Sequence, residues 1–325
     1  MPLRVYLKLI VLTIFIFSAF GAVYLFAPTV SQKEGVVYYL RPGLSKRSVI
    51  TALYQMGVIK HPVFFSIYAF FTPQSKIKAG EYVFVHGRNF VGIWHQITTG
   101  TGFYYHPFTL VPGWTYKQFD TALHNDPWLK KKTESLAPLN SSHEGMLFPD
   151  TYFFTRGEYD TDILKHAAKL MQKKLMDAYN KRNDNLPYQT PYETLIVASM
   201  IEKEAYLDVE RPMIASVIIN RLKKGIPLQI DATIIYALGD QYNGTIYKKD
   251  LQIVSPYNTY LNKGLPPTPI AFPSLASINA ACHPAVSDYY YYVAKRDGSH
   301  QFSKTLEEHE KAISEIKLRA LENSK

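Results

Sequence analysis

The chain contains a single cysteine, Cys282, in 325 residues. One thiol closes no internal disulfide, and no Cys/His spacing resembles a metal site, so disulfide staples and a structural metal are both outside expectation. The scarcity does not assign a reducing compartment; it only removes disulfides as evidence. Cys282, within Ala-Ala-Cys-His-Pro, reads as a small packed residue. Charged residues are also few, at 19% against 47% hydrophobic, which excludes a disordered tail and leaves enough apolar side chain for real cores. The net charge is +9, yet the cations are dispersed. Runs such as Lys130-Lys131-Lys132 and Lys223-Lys224 are short and no nucleic-acid fold motif accompanies them, so nucleic acid is not an expected partner. An anionic membrane, an acidic polymer or an ordinary solvated surface suits this charge equally. No Ser-His-Asp order is evident around His283 or His300, and His283 precedes a proline that shapes a turn.

Aromatic residues, in contrast, make up 14% of the chain, with 25 tyrosines. Some of them must reach the surface, where a flat apolar face with a hydroxyl suits sugar rings and protein partners alike. The other abundance is at the amino terminus. In residues 9–27 only Thr13 and Ser18 are clearly polar, and at 1.5 Å per residue such a helix is about 28 Å long, the thickness of a bilayer core. Arg4 and Lys8 precede it and Pro28 ends it, so the positive-inside rule puts the start in the cytoplasm and the rest outside. A cleaved signal peptide is the rival, with Ala19-Phe20-Gly21 as a weak site. The apolar run continues past it through Val23-Tyr24-Leu25-Phe26, which favours an uncleaved anchor.

After a linker over residues 29–35, Val36-Val37-Tyr38-Tyr39-Leu40 reads as a strand and Pro42-Gly43 as a turn. Ser45 is a candidate N-cap for a helix through Met56. A second helix is expected near 62–71, a strand near 80–84 and a third helix near 89–98, giving a βααβα unit. The pair Leu40-Arg41-Pro42-Gly43 and Thr51-Ala52-Leu53 reappears as Leu110-Val111-Pro112-Gly113 and Thr121-Ala122-Leu123, a second strand–turn–helix. Beyond it, helices are expected near 160–182, 191–205, 208–224, 230–238, 273–281 and 304–323, with a strand at 289–294. Helices dominate, so the fold class is α+β: an anchor at 1–28, a small module with its linker at 29–103, and a mostly helical domain at 104–325.

The most informative stretch is Pro191-Tyr192-Glu193-Thr194-Leu195-Ile196-Val197-Ala198-Ser199-Met200-Ile201-Glu202-Lys203-Glu204. Proline in the first turn and an apolar run broken only by Ser199 describe a buried helix. Glu202 sits over Ala198 and Ser199 one turn earlier. At the end of a buried helix it would be partly desolvated, which raises a carboxyl's pKa and suits a general acid; equally, Glu202 and Glu204 would mark where the helix surfaces. Asp231, after Leu228-Gln229-Ile230, is a good N-cap, and Gln229 has an amide suited to a sugar hydroxyl or acetamido group. Ser255-Pro256-Tyr257-Asn258-Thr259-Tyr260, followed by Gly264-Leu265-Pro266-Pro267-Thr268-Pro269, forms a stiff loop able to present Tyr257, Asn258 and Tyr260.

With these residues in view, the chain resembles the YceG-like family of endolytic murein transglycosylases. The resemblance rests on Glu144-Gly145-Met146-Leu147-Phe148-Pro149-Asp150-Thr151-Tyr152, Ala198 to Glu204, Leu228 to Asp231, Ser255 to Tyr260, Gly264 to Pro267, and the closing Asp297-Gly298-Ser299-His300-Gln301-Phe302-Ser303 with Glu308-His309. It implies a LysM-like module near the membrane, then a catalytic domain in which Glu202, the first Glu of Glu-Lys-Glu, is the acid/base. Candidate substrate-binding residues are Ser199, Gln229, Asp231, Tyr257, Asn258, Tyr260 and Glu144. Ala232, Thr268, Phe272 and Ser274 depart from the proline, glycine, asparagine and glycine the family tends to have there, so substrate preference is more open than the reaction. The sequons at Asn140 and Asn243 are discounted on the bacterial origin that the resemblance implies.

The reaction so implied is non-hydrolytic cleavage of the β-1,4 bond between N-acetylmuramic acid and N-acetylglucosamine. Glu202 would protonate the glycosidic oxygen and then deprotonate the C6 hydroxyl of the same muramyl ring, closing a 1,6-anhydro end. Such a cut would terminate strand elongation. A muramidase using water needs a second carboxylate, and Asp231, Glu204 and Glu144 are all available. A membrane-anchored glycan-binding scaffold without catalysis is the third reading. No cofactor or metal is expected. The expected partners are peptidoglycan strands, the inner membrane and, through the resemblance, peptidoglycan synthases.

Overall fold

In the computed structural model, residues 3–72, 76–132 and 143–322 are described; Asn140 lies outside them. The apolar amino-terminal run forms one helix, α1 (Leu3–Phe26), in which Gly21 is the only buried residue. Contacts divide the chain into two units, one made of Met1–Pro107 with Phe153–Glu158, the other of Phe108–Tyr152 with Tyr159–Lys325.

In the first unit, α1 is followed by β1 (Val36–Leu40), α2 (Lys46–Gln55), α3 (Pro62–Phe71), β2 (Gly80–Phe84) and α4 (Phe90–Thr99), the βααβα order expected from sequence. β1 and β2 pair antiparallel with Tyr38 opposite Tyr82. Ser45 and Asn89 cap α2 and α4 by accepting from backbone N–H groups three residues on. Leu40, Leu53, Phe65, Tyr82, Phe84, Phe90, Ile93 and Trp94 share one core. The expected linker is no loose tether: Thr29 and Val30 are buried and both donate to the Arg88 carbonyl. Residues 153–158 are tied in through Arg156, 3.7 Å from Glu81 and over the Tyr39 ring.

Two strands, β3 (Tyr105–Thr109) and β4 (Thr151–Thr155), form a ladder. The repeated strand–turn–helix is real: Gly43 and Gly113 both take φ near +80° in the turns that lead into α2 and α5 (Tyr116–Asn125).

The second unit is built around a buried helix, α7 (Pro191–Glu204). Thr190 and Glu193 form a capping box, Pro191 fills the first turn, and every residue from Thr194 to Ile201 is buried. Around it pack α6 (Asp160–Tyr179), α8 (Arg211–Lys224), α9 (Asp231–Leu238) and α10 (Leu275–Cys282). Leu195, Val197, Ala198, Ile214, Ile218, Ile278 and Cys282 are common core residues, so Cys282 is packed as expected. An antiparallel hairpin, β5 (Tyr291–Ala294) with β6 (His300–Ser303), and a last helix, α11 (Leu306–Glu322), complete the unit. The helix expected at 208–224 is split, because residues 208–210 form a 3-10 turn before α8 begins.

Candidate active site

The carboxyl-terminal end of α7 delivers two glutamates to different surroundings. Helical neighbours two positions apart point about 200° apart around the axis, so Glu202 and Glu204 leave the helix on opposite sides. Glu202 turns towards α10 and α8. Its Oε2 accepts from the Ser274 amide at 2.9 Å, the Ser274 hydroxyl, the Ser277 hydroxyl at 2.8 Å and Arg211 Nη1 at 3.2 Å. Both partners of this ion pair are enclosed, with side-chain exposures of 9% for Arg211 and 7% for Glu202. Glu202 was expected at the end of a buried helix, partly desolvated and suited to a general acid. It is enclosed, and its Oε2 meets one cation and three further donors, which compensate a buried charge, while among the described residues Oε1 meets only Arg211 Nη2 at 3.4 Å. It ties α7 to the start of α10.

Glu204 turns towards a cavity of about 440 Å³. Gln229, Asp231, Tyr260, Arg221, His300 and Tyr292 are among the residues that line it with Glu204, whereas Glu202 does not. Glu204 is half-buried and accepts from the Tyr292 hydroxyl at 3.1 Å and from the backbone N–H of Ala232. Burial pushes its pKa above the ordinary glutamate range and the charge of Asp231 adds to the rise, while the Tyr292 and Ala232 hydrogen bonds and the nearby His300 oppose it. Tyr292 is itself held well above the ordinary tyrosine value by burial and by Glu204, so it remains a donor.

Asp231 was expected as the N-cap of α9. That position belongs to Ile230, which makes no side-chain cap; Asp231 is the first helical residue, and its carboxylate accepts from the Tyr260 hydroxyl. Gln229 has φ +55°, one of two non-glycine residues in the left-handed region among the described residues. Its amide oxygen accepts from Arg221 Nη1 at 2.9 Å, and its backbone N–H donates to the Thr259 carbonyl at 3.0 Å. Arg221 also donates to the carbonyls of Leu228 at 3.0 Å and Tyr290 at 2.6 Å, so one guanidinium joins α8, the Gln229 turn and the residue just before β5. His300 is fixed by Glu210 at 2.7 Å.

The other expected site residues are not in this cavity. Ser199 is buried, donating to the Ile196 carbonyl at 2.7 Å and accepting from the Ile270 amide at 3.0 Å. Asn258 is buried too and clamps its own loop through the carbonyls of Leu251 and Ile253. Tyr257 bonds Thr268 at 2.9 Å and packs on Tyr236. Glu144 is buried elsewhere, accepting from the Tyr116 amide at 2.9 Å and the Tyr236 hydroxyl at 3.1 Å; burial pushes it up to about 7.

Arg221 and Tyr292 escaped the reading of the sequence. Both stand in motif-poor surroundings, and only the return of β5 against α8 brings them to Glu204. A half-buried glutamate, a second carboxylate, tyrosine hydroxyls and an amide around one cavity can exchange a proton with, and hydrogen-bond, a hydroxyl-rich ligand.

The chain matches the YceG-like family over residues 38–315. It is 34% identical over 270 residues to the endolytic murein transglycosylase of Bacillus subtilis, covering 75% of this chain and 74% of that protein. It is also 34% identical over 178 residues to the endolytic murein transglycosylase of Streptococcus pneumoniae, covering 53% of this chain and 32% of that longer protein. A crystal structure of a YceG-like protein from Listeria monocytogenes superposes with a TM-score of 0.56 at 32% identity, over 86% of this chain and 99% of that one.

Proposed function

The chain belongs to the YceG-like family, and on that premise we propose that it is a membrane-anchored murein transglycosylase that cuts peptidoglycan glycan strands with Glu204 as acid and base. The observation that carries the assignment is the carboxyl of Glu204 in the cavity, pushed up by burial and oriented by Tyr292. A general acid must hold its proton near the operating pH and reach the substrate. Glu204 faces the cavity with its pKa shifted in the direction an acid needs, while Glu202 is engaged with Arg211, Ser274 and Ser277.

In the proposed sequence Glu204 gives its proton to the glycosidic oxygen between N-acetylmuramic acid and N-acetylglucosamine as the C1–O bond breaks. The resulting carboxylate takes the proton of the C6 hydroxyl on the same muramyl ring, and O6 closes on C1. The products are an anhydro-muramyl end and a free 4-hydroxyl, with Glu204 protonated again. Gln229, Tyr260 and Arg221 line the space where sugar hydroxyls and acetamido groups would lie. Cutting nascent strands in this way would terminate their elongation close to the synthases.

Asp231 supports a second reading. It faces the same cavity, so it could activate water and make the enzyme a muramidase. The full-length chain, Glu204→Gln and Glu202→Gln would each be incubated with purified peptidoglycan and the fragments weighed. The proposal expects ends lighter by one water from the first and third and none from the second. Reducing ends would assign a hydrolase, and an active Glu204→Gln variant would remove Glu204 from the mechanism.

The 24-residue α1 is long and apolar enough to cross a bilayer. With Arg4 and Lys8 in its first two turns, ahead of the apolar run from Leu9, we place its start in the cytoplasm and everything after Pro28 on the outer side of the inner membrane.

A further inference from the structure

Helix α3 is apolar on the side where a soluble protein would be polar. Phe65 and Ala69 face the core of the first unit. The opposite face presents Val63, Ile67, Phe70 and Phe71, which are 62%, 42%, 77% and 75% exposed, with Ser66 as its one polar member. These positions follow the i, i+3/i+4, i+7 spacing of a single helical stripe, and α3 contains no charged residue. A contiguous patch of this kind marks an interaction surface.

The position of α3 against α1 identifies what covers that stripe. The Phe64 ring packs on Phe17, Phe20 and Tyr24 of α1. It comes so close at Gly21 that a Cβ there would meet the ring at 3.1 Å. At 1.5 Å per residue, Phe17 and Tyr24 lie about 14 and about 3 Å below the outer end of α1 at Phe26. Phe64 is therefore level with the last third of the apolar helix. Tyr24 accepts from the backbone N–H groups of Lys60 and His61, both at 2.8 Å, at the depth where tyrosines mark a membrane interface.

The ends of α3 also match a low-dielectric setting. Its last carbonyls are closed by the Lys46 ammonium, which donates to Ala69 at 3.1 Å and Thr72 at 2.7 Å, and by the Thr72 hydroxyl, 3.3 Å from the Tyr68 carbonyl. Backbone groups near hydrocarbon need such internal partners. Lys46 and Arg47 border the groove formed with Phe70 and Phe71, where cations would meet anionic headgroups.

We propose that α3 is a second membrane-embedded element, its Val63–Ile67–Phe70–Phe71 stripe lying among the acyl chains of the outer leaflet and Lys46 and Arg47 at its headgroups. At ten residues it is too short to span, so it lies within one leaflet. The inference rests on the reading that α1 crosses the bilayer. With the exit of α1 already bonded to Arg88 and Asn89, the first unit would sit on the membrane in one fixed orientation instead of swivelling on a tether.

The test uses the full-length chain in vesicles containing anionic phospholipid, with Cys282→Ala and single spin-labelled cysteines. Ile67→Cys and Phe70→Cys probe α3, Ile16→Cys probes α1, and Val254→Cys, 96% exposed in the wild type, reports water. Collisions with oxygen, concentrated in lipid, are compared with collisions with a water-soluble nickel chelate. Labels at positions 67 and 70 are expected to behave like the one at 16, with oxygen dominating. Nickel dominating at 67 and 70 but oxygen at 16 overturns the proposal and leaves the span intact. Nickel dominating at 16 as well removes the span reading itself. Exclusion of both reagents at 67 and 70 means that a second copy or another protein covers the stripe, and also overturns it.

Discussion

The hydroxyl of Tyr292 on β5 donates to the carboxyl of Glu204 at the end of α7 across 3.1 Å, although 88 residues separate them in the chain. This bond orients the Glu204 carboxyl in the cavity, and it also opposes the upward push of burial on its pKa.

Tyr292→Phe removes a donor that favours the charged form of Glu204. The alkaline limb of the pH–rate profile, where the acid loses its proton, is therefore expected to move to higher pH. Asp231→Asn removes a charge that raises Glu204, so the same limb is expected to move lower, with activity kept if Asp231 is not the base. Opposite displacements of one limb in two variants would be hard to explain by general damage. Displacements in the same direction, or none, would detach the limb from Glu204.

The two glutamates of Glu-Lys-Glu should fail in different ways. Glu204→Gln is expected to lower the turnover by at least a factor of about 100, the usual contribution of a positioned acid/base, with little change in melting temperature. Glu202→Gln removes the enclosed charge facing Arg211, which keeps Asp208 at 2.8 Å; losing a charge-assisted bond costs about 1.5–3 kcal/mol, yet the protein that remains folded should turn over normally. Thermal unfolding and turnover per folded molecule, measured on both variants, separate the roles; a reversed pattern would return catalysis to Glu202.

Much of this architecture was legible from local signals. Pro191 with the Thr190–Glu193 box, the apolar run through Ile201 and the Pro-Gly turns at 42–43 and 112–113 each set an element through short-range chemistry. Gln229, Asp231 and Tyr260 were singled out and do line one cavity. The different surroundings of Glu202 and Glu204 were not legible, because they depend on which flank of α7 meets α10 and which meets β5. Ser199 and Asn258 carry polar groups that suggest ligand contact, yet those groups close backbone and loop hydrogen bonds inside the core. A polar side chain in a motif is equally suited to holding a loop and to holding a ligand; only its partners tell.

Gln229 offers a test of stored backbone strain. With φ at +55°, glycine would relax the main chain while deleting the amide that meets Arg221. Gln229→Gly is expected to hold stability within about 1 kcal/mol of the wild type, and Gln229→Ala to be the less stable of the two. Both should bind glycan more weakly, seen as a raised KM. A glycine variant with unchanged KM would mean that the Gln229 side chain serves only to anchor Arg221.

Glu144 links protonation to folding. Burial raises it from 4.5 to about 7, so the folded protein binds this proton more tightly than the unfolded chain. The stabilisation is complete below the unfolded value and is lost as pH rises through about 7. At about 1.4 kcal/mol per unit, the loss is on the order of 3 kcal/mol. In Glu144→Gln the amide oxygen can still accept from Tyr116, and no proton is at stake. The variant's unfolding free energy, measured by denaturant titration from about pH 4.5 to about pH 8, should therefore fall less steeply than that of the wild type. Parallel curves for the two proteins would mean that Glu144 keeps the same proton affinity folded and unfolded, despite its enclosure by Tyr116 and Tyr236.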